Sequence, residues 1–150
     1  MAAGRAIGTV VVLAGLVAAC HAHGDKAVTA ADHGVTINLK RTAQNYSAVS
    51  LEIRNGSAAP VCLGPGSLSL ARFSIKTDQG AQPPSGGGAA PASAATCDLL
   101  AAGASRMQSI DLGQGFSRLQ TQTGRVCYHY AFTQAPADPS GWRADGMVCE

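Results

Sequence analysis

Arg125-Val-Cys-Tyr-His-Tyr-Ala-Phe132 is the most informative stretch of this chain. Val126, Tyr128, Tyr130 and Phe132 fall on one parity, and Cys127, His129 and Ala131 fall on the other. A period of two with apolar side chains on one parity is the mark of a strand that faces a core on one side. Gly124 precedes this strand, Pro136, Pro139 and Gly141 break the chain after it, and Gly146 to Glu150 close it. The same alternation recurs upstream. Val35, Ile37 and Leu39 alternate with Thr36, Asn38 and Lys40, and Val49, Leu51 and Ile53 alternate with Ser50, Glu52 and Arg54. Asn55-Gly56-Ser57 then reads as a turn. Pro60–Leu63 and Ser67–Leu70 flank the breaker Gly64-Pro65-Gly66, and Phe73 and Ile75 lead to a turn at Asp78-Gln79-Gly80. Met107, Ile110 and Leu112 mark another strand between Gly103 and Gly113, followed by a looser segment with Phe116 and Leu119. About seven short strands with little helical period predict an all-β fold, two antiparallel sheets packed as a sandwich.

Composition narrows the function classes. The chain has 150 residues, of which 13% are charged and 46% hydrophobic. This is the size of one domain and is too apolar for a disordered chain. Eleven Lys and Arg against nine Asp and Glu give a net charge of +2, which is no footprint for nucleic acid. Arg41, Arg54, Arg72 and Lys76 are scattered one to a strand or loop and read as solubilising charge. Residues 81–96, AQPPSGGGAAPASAAT, carry no charge and read as a flexible loop.

The first residues read as an address. After Arg5, residues 6–19 run AIGTVVVLAGLVAA without a charge. That length suits the apolar region of an export signal, about 7–15 residues, better than a membrane span of roughly 20. The run ends in Val17-Ala18-Ala19-Cys20, which resembles the lipobox of bacterial lipoproteins, with Val17 in the place usually held by Leu. The resemblance implies a signal over 1–19, lipidation of Cys20, anchorage to a membrane through acyl chains including palmitate, and a tether over 20–33. It also implies a periplasm-facing protein. Because His21 and not Asp follows Cys20, the sorting pattern of such lipoproteins points to the outer membrane.

Five cysteines occur, at 20, 62, 97, 127 and 149. Setting Cys20 aside for lipid leaves four, an even number that an oxidising compartment would pair. Sequence permits three pairings. Cys127 with Cys149 is favoured because the two sit in successive late strands, which leaves Cys62 with Cys97.

The order V-x-L-x-I-x-N-G-S-x-x-P-V over 49–61, then F-S-I, L-x-x-G-x-S over 100–105, I-D-L over 110–112 and G-x-x-x-Y-x-Y over 124–130 resembles an immunoglobulin-like exported domain. It is similar to the β-sandwich pro-region of deuterolysin-type metallopeptidases and to small bacterial lipoproteins. The resemblance implies an immunoglobulin-like sandwich over 34–150. The only Trp, Trp142, lies near the end of the chain, so the antibody-type Trp–disulfide core is not implied. No peptidase domain follows the sandwich, so the pro-region's inhibitory role is not implied either.

Reactive chemistry is sparse. There is no His-Glu-x-x-His, no phosphate-binding loop and no Gly-x-Ser-x-Gly elbow. His21, His23 and His33 are the residues a copper or zinc ion would use. On a solvated tether they lose ordering entropy before they coordinate, so no metal and no cofactor are expected. His129 beside Cys127 would need a free thiolate to act as a catalytic pair, and an oxidised Cys127 has none. The expectation is a non-enzymatic, lipid-anchored envelope protein that binds a protein partner, with exposed sheet edges as natural docking sites. The alternative is a small-ligand or metal-handling lipoprotein that uses the histidine tether or a cleft between the sheets.

Overall fold

The computed structural model describes residues 26–41, 45–86, 97–135 and 141–150. They form the all-β sandwich expected from the alternation, two antiparallel sheets facing each other. The first sheet has the order β1 (Lys26–Asp32), β2 (Val35–Arg41), β3 (Ala48–Asn55), β8 (Ser105–Asp111). The second is built on β9 (Arg125–Gln134), which pairs with β10 (Arg143–Cys149) along one side. Along its other side lie β5 (Phe73–Thr77) and then β4 (Val61–Leu63), continued outward by β6 (Gly80–Gln82) and β7 (Asp98–Leu100). Short 3-10 turns at Leu70–Arg72 and Leu112–Gln114 and a six-residue helix α1 (Arg118–Thr123) complete the described elements.

Parity decides what faces inward. Ile37 pairs with Ile53 and Leu39 with Leu51, and all four are fully buried. Val126, Tyr128 and Phe132 meet them from the second sheet, with Phe73 tilted on Tyr128 at 5.2 Å between ring centroids. Each fully buried side chain of this size contributes about 1.5–3 kcal/mol relative to exposure, so this apolar layer is the main bond between the sheets.

The structure departs from the sequence reading in four places. Ten strands are described, against the seven that alternation marks. The tether expected over 20–33 is a strand from Lys26 to Asp32, paired with β2 over its whole length. Its Ala-rich sequence hides an apolar period, but Val28 and Ala30 pack partly against the core, so the sandwich begins at 26 and not at 34. The first residues of the flexible loop expected over 81–96 are held in place: Ala81 and Gln82 belong to β6, Pro84 is buried, and the Ser85 amide donates to the Gly115 carbonyl at 2.7 Å. The remainder of that stretch, 87–96, lies outside the described residues. Finally, the looser segment around Leu119 is helical. Ser117 and Gln120 form a reciprocal capping box, with the Ser117 amide donating to Gln120 Oε1 at 2.8 Å and the Gln120 amide donating to Ser117 Oγ at 3.3 Å.

The two ends of the sandwich differ. One end collects the start of β1, the Asn45–Ser47 turn, α1, the start of β9 and the end of β10. The other collects the His33–Gly34 turn, the end of β3, residues 101–104 and Trp142. No helix among the described residues is long and apolar enough to cross a membrane.

Candidate functional site

The four cysteines after Cys20 are joined as Cys62–Cys97 and Cys127–Cys149. Cys127 and Cys149 are register partners on β9 and β10, with Cα atoms 4.0 Å apart. Cys62 pairs in register with Leu99, which puts Cys97, just before β7, diagonal to it and 5.2 Å away at Cα. Both bridges lie within the second sheet, and neither ties the two sheets together. Cys127 is therefore no nucleophile. His129 instead shares a 2.9 Å hydrogen bond through Nε2 with Ser74 Oγ across β5 and β9.

His33 does not belong to a tether. It occupies the β1–β2 turn at φ 46°, where Asp32 Oδ1 lies 2.6 Å from its Nδ1. Its ring stacks on Trp142 at 4.5 Å with an 8° interplanar angle, which links the first sheet to β10. Trp142 in turn meets Phe132 edge-on, and Phe132 stacks with Tyr130 at 5.2 Å. The Tyr130 hydroxyl is raised above its ordinary pKa, first by burial and then by the Asp32 and Asp145 carboxylates. Cys20, His21 and His23 lie outside the described residues. Among the described residues no group of three or more His, Cys, Asp or Glu could hold a metal ion.

The polar groups that sequence reading missed sit at the two ends of the core rows. Arg41 continues the inward parity of Val35, Ile37 and Leu39, and its side chain is only 3% exposed. This is not the solubilising charge that the scatter of cations along the sequence predicts. Instead its guanidinium pairs with the fully buried Glu150 at 2.6 Å and donates to the Thr121 carbonyl at 2.5 Å and the Gly124 carbonyl at 3.3 Å. Glu150 Oε1 also accepts from the Val126 amide at 3.2 Å, while Oε2 has no partner. Arg72, read from sequence as another solubilising charge, is half-buried, bonded to the Pro65 carbonyl at 3.1 Å.

Asn55 opens the turn that Asn55-Gly56-Ser57 predicts, and it also closes the inward row Val49, Leu51, Ile53. Its side chain is wholly buried. Nδ2 donates to the carbonyls of Ala59, Leu100 and Ala101 at 2.8, 3.1 and 3.2 Å. Oδ1 accepts from the Ser57 amide at 3.0 Å and the Ser57 hydroxyl at 2.7 Å.

A hollow of about 430 Å³ opens beside the Arg41 end, lined by Tyr46, Ser47, Phe116, Arg118, Thr121 and Gln122 among others. The Arg41 guanidinium carbon lies 5.8 Å from the centroid of Tyr46, behind this wall. The hollow mixes hydroxyl, amide and aromatic groups and holds no nucleophile paired with a base. Free backbone is the other resource. Among the described residues the strand β8 pairs only with β3, and its Ser105, Gln108 and Ser109 are exposed, with Met107 68% exposed. No protein-family model matches the chain, and neither a curated protein nor a solved structure is similar to it.

Proposed function

We propose that the protein is a lipid-anchored component of a bacterial cell envelope whose exported sandwich holds a protein partner and does no chemistry. One observation carries the anchoring. Four of the five cysteines are consumed in two disulfides, and the remaining one is Cys20, placed directly after a fourteen-residue uncharged run ending in Val-Ala-Ala. Disulfides persist in oxidising compartments such as a periplasm, which agrees with export. A thioether-linked diacylglycerol and an acylated amine on Cys20 would hold the protein durably, since each buried CH₂ contributes about 0.8 kcal/mol and more than one chain is needed for stable anchoring. By the residue after Cys20, the outer membrane is the destination.

The open edge of β8 supports the binding role. A partner strand laid beside Ser105–Asp111 would satisfy its free backbone groups, with Met107 as an apolar contact. The test is in two parts. Wild-type protein from its host is expected to carry acyl mass and to fractionate with membranes, and Cys20→Ala to lose both; a Cys20→Ala protein that stays in the membrane refutes the anchor. Cross-linking in intact envelopes is expected to give one stoichiometric adduct that Met107→Lys abolishes without changing the melting temperature. No adduct, or one indifferent to the β8 edge, refutes the partner site.

The hollow near Tyr46 favours a second reading, in which the protein handles a small ligand. A compound that raises the melting temperature of wild-type protein and fails to do so with Gln122→Leu would support it.

A further inference from the structure

We infer that the end of the sandwich carrying α1 rests on the lipid headgroups, and that the His33–Trp142 end points away from the membrane. The inference rests on lipidation of Cys20 as proposed above, and adds how the domain stands on its anchor.

Reach is the first reason. The first residue of β1 is Lys26, six positions from Cys20. Six residues span at most about 22 Å when fully extended, and a flexible segment of that length spans about 13 Å on average. The strand β1 then runs for seven residues, about 20 Å, before its turn at His33. Bringing His33 to the membrane would require a stretched linker laid back along the whole length of the domain. Holding the Lys26 end down requires no extension.

The second reason is what occupies that end. Arg41 is the register partner of Lys26, and its guanidinium holds the Thr121 carbonyl of α1, so the helix lies across the same end. Leu119, in the first turn of the helix, is 69% exposed, among the most exposed large apolar residues described. Beside it in sequence is exposed Arg118, and the same end carries exposed Lys76 and Arg125 together with the carboxylates Asp78 and Asp111. An exposed Leu beside an exposed Arg suits the boundary between headgroups and acyl chains, where apolar contact and attraction to anionic lipid act together. The hollow beside Tyr46 and Arg118 would then face the headgroups.

Trp142 provides the control, because it is the only Trp and sits at the opposite end. The full lipidated chain is reconstituted in vesicles of phosphatidylethanolamine and phosphatidylglycerol that contain lipids spin-labelled near the headgroup. Native Trp142 fluorescence is compared with that of a Leu119→Trp, Trp142→Phe variant. The indole introduced at 119 is expected to be quenched at least about two-fold more than Trp142. Equal quenching, or stronger quenching of Trp142, in protein whose acyl mass is verified overturns the orientation and leaves the lipid anchor standing. Absence of acyl mass on Cys20 overturns the anchor, and the orientation falls with it. Should the double variant not fold, hydrogen exchange on wild-type protein decides. Amides over 117–124 are expected to slow in vesicles relative to detergent while those over 99–104 do not, and equal behaviour of the two segments refutes the orientation.

Discussion

Replacing Asn55 with alanine or with aspartate separates two contributions that the structure assigns to one side chain. Asn55, itself fully buried, has two amide protons facing three carbonyls and one carbonyl oxygen facing two Ser57 donors. Two donors and two acceptor bonds make four effective hydrogen bonds, with one proton shared between the Leu100 and Ala101 carbonyls. At about 0.5–1.5 kcal/mol each, loss of these four bonds on truncation to alanine is expected to cost about 3 kcal/mol. That is a large share of the roughly 5–15 kcal/mol that keeps a domain folded.

Aspartate keeps the shape and both acceptor bonds but turns an oxygen toward the three carbonyls. As a carboxylate it is a buried, uncompensated charge, so its folded-state pKa is raised. A carboxyl group with a raised pKa contributes its stability below the unfolded value, near 3.9, and loses it as pH rises through the folded value. Asn55→Asp is therefore expected to be worse than Asn55→Ala at pH 7, and to recover relative to wild type at about pH 3.5, where a protonated oxygen can donate one bond. Urea unfolding followed by circular dichroism, with the disulfides intact, measures both variants at both pH values. An alanine cost below about 0.5 kcal/mol, or an aspartate cost that is the same at both pH values once the wild-type change is subtracted, refutes the role given to this residue.

Arg41→Met should cost about 3–5 kcal/mol, because it strands the buried Glu150 carboxylate with a single backbone donor, whereas Glu150→Gln should cost less, since Arg41 keeps the Thr121 and Gly124 carbonyls; equal costs in urea melts would refute the asymmetry. Burial pushes the Tyr128 hydroxyl up to about 12, with Arg72 opposing, so the unfolded chain ionises first and stability should fall by about 2 kcal/mol between pH 10 and 12. Tyr128→Phe should remove that part of the alkaline slope while losing the 2.8 Å bond to the Ser67 carbonyl, about 1 kcal/mol at pH 7; an unchanged slope would refute it. Opening either disulfide with paired Cys→Ser changes should cost about 3–4 kcal/mol, slightly more for the 35-residue Cys62–Cys97 loop than for the 22-residue Cys127–Cys149 loop, and a melting temperature indifferent to reductant would contradict this.

Period-two parity made β2, β3, β5 and β9 legible, because each carries Val, Ile, Leu or Phe on one face over several residues. The Cys127–Cys149 bridge was legible for a related reason, as two successive strands brought the cysteines side by side. Short elements escaped. The three-residue strands β6 and β7 form because β5 and β4 offer them free backbone, which no local pattern announces. The strand β1 escaped because alanine marks neither a core face nor a solvent face. A signal for α1 was present in Ser117-x-x-Gln120, the spacing of a capping box, but only six helical residues follow it. Arg41 and Asn55 were also within reach. Both sit on the inward parity of their strands, where position decides burial over residue type.

Those two residues explain how the sandwich is joined. A sandwich has open ends where the chain crosses between sheets, and backbone there has no ladder partner, so buried carbonyls must be met by side chains or water. At one end Arg41 of the first sheet reaches the Thr121 and Gly124 carbonyls and Glu150 beside β10; at the other Asn55 of the first sheet reaches Leu100 on β7 of the second. The stacked His33 and Trp142 add a third link, and the Arg106–Asp98 ion pair between β8 and β7 a fourth. Both disulfides, by contrast, stay within the second sheet. Reduction therefore loosens one layer, whereas loss of Arg41 or Asn55 attacks the union of the two. Because these sit at opposite ends of the strands and share no partner, their effects should add, as independent sites do.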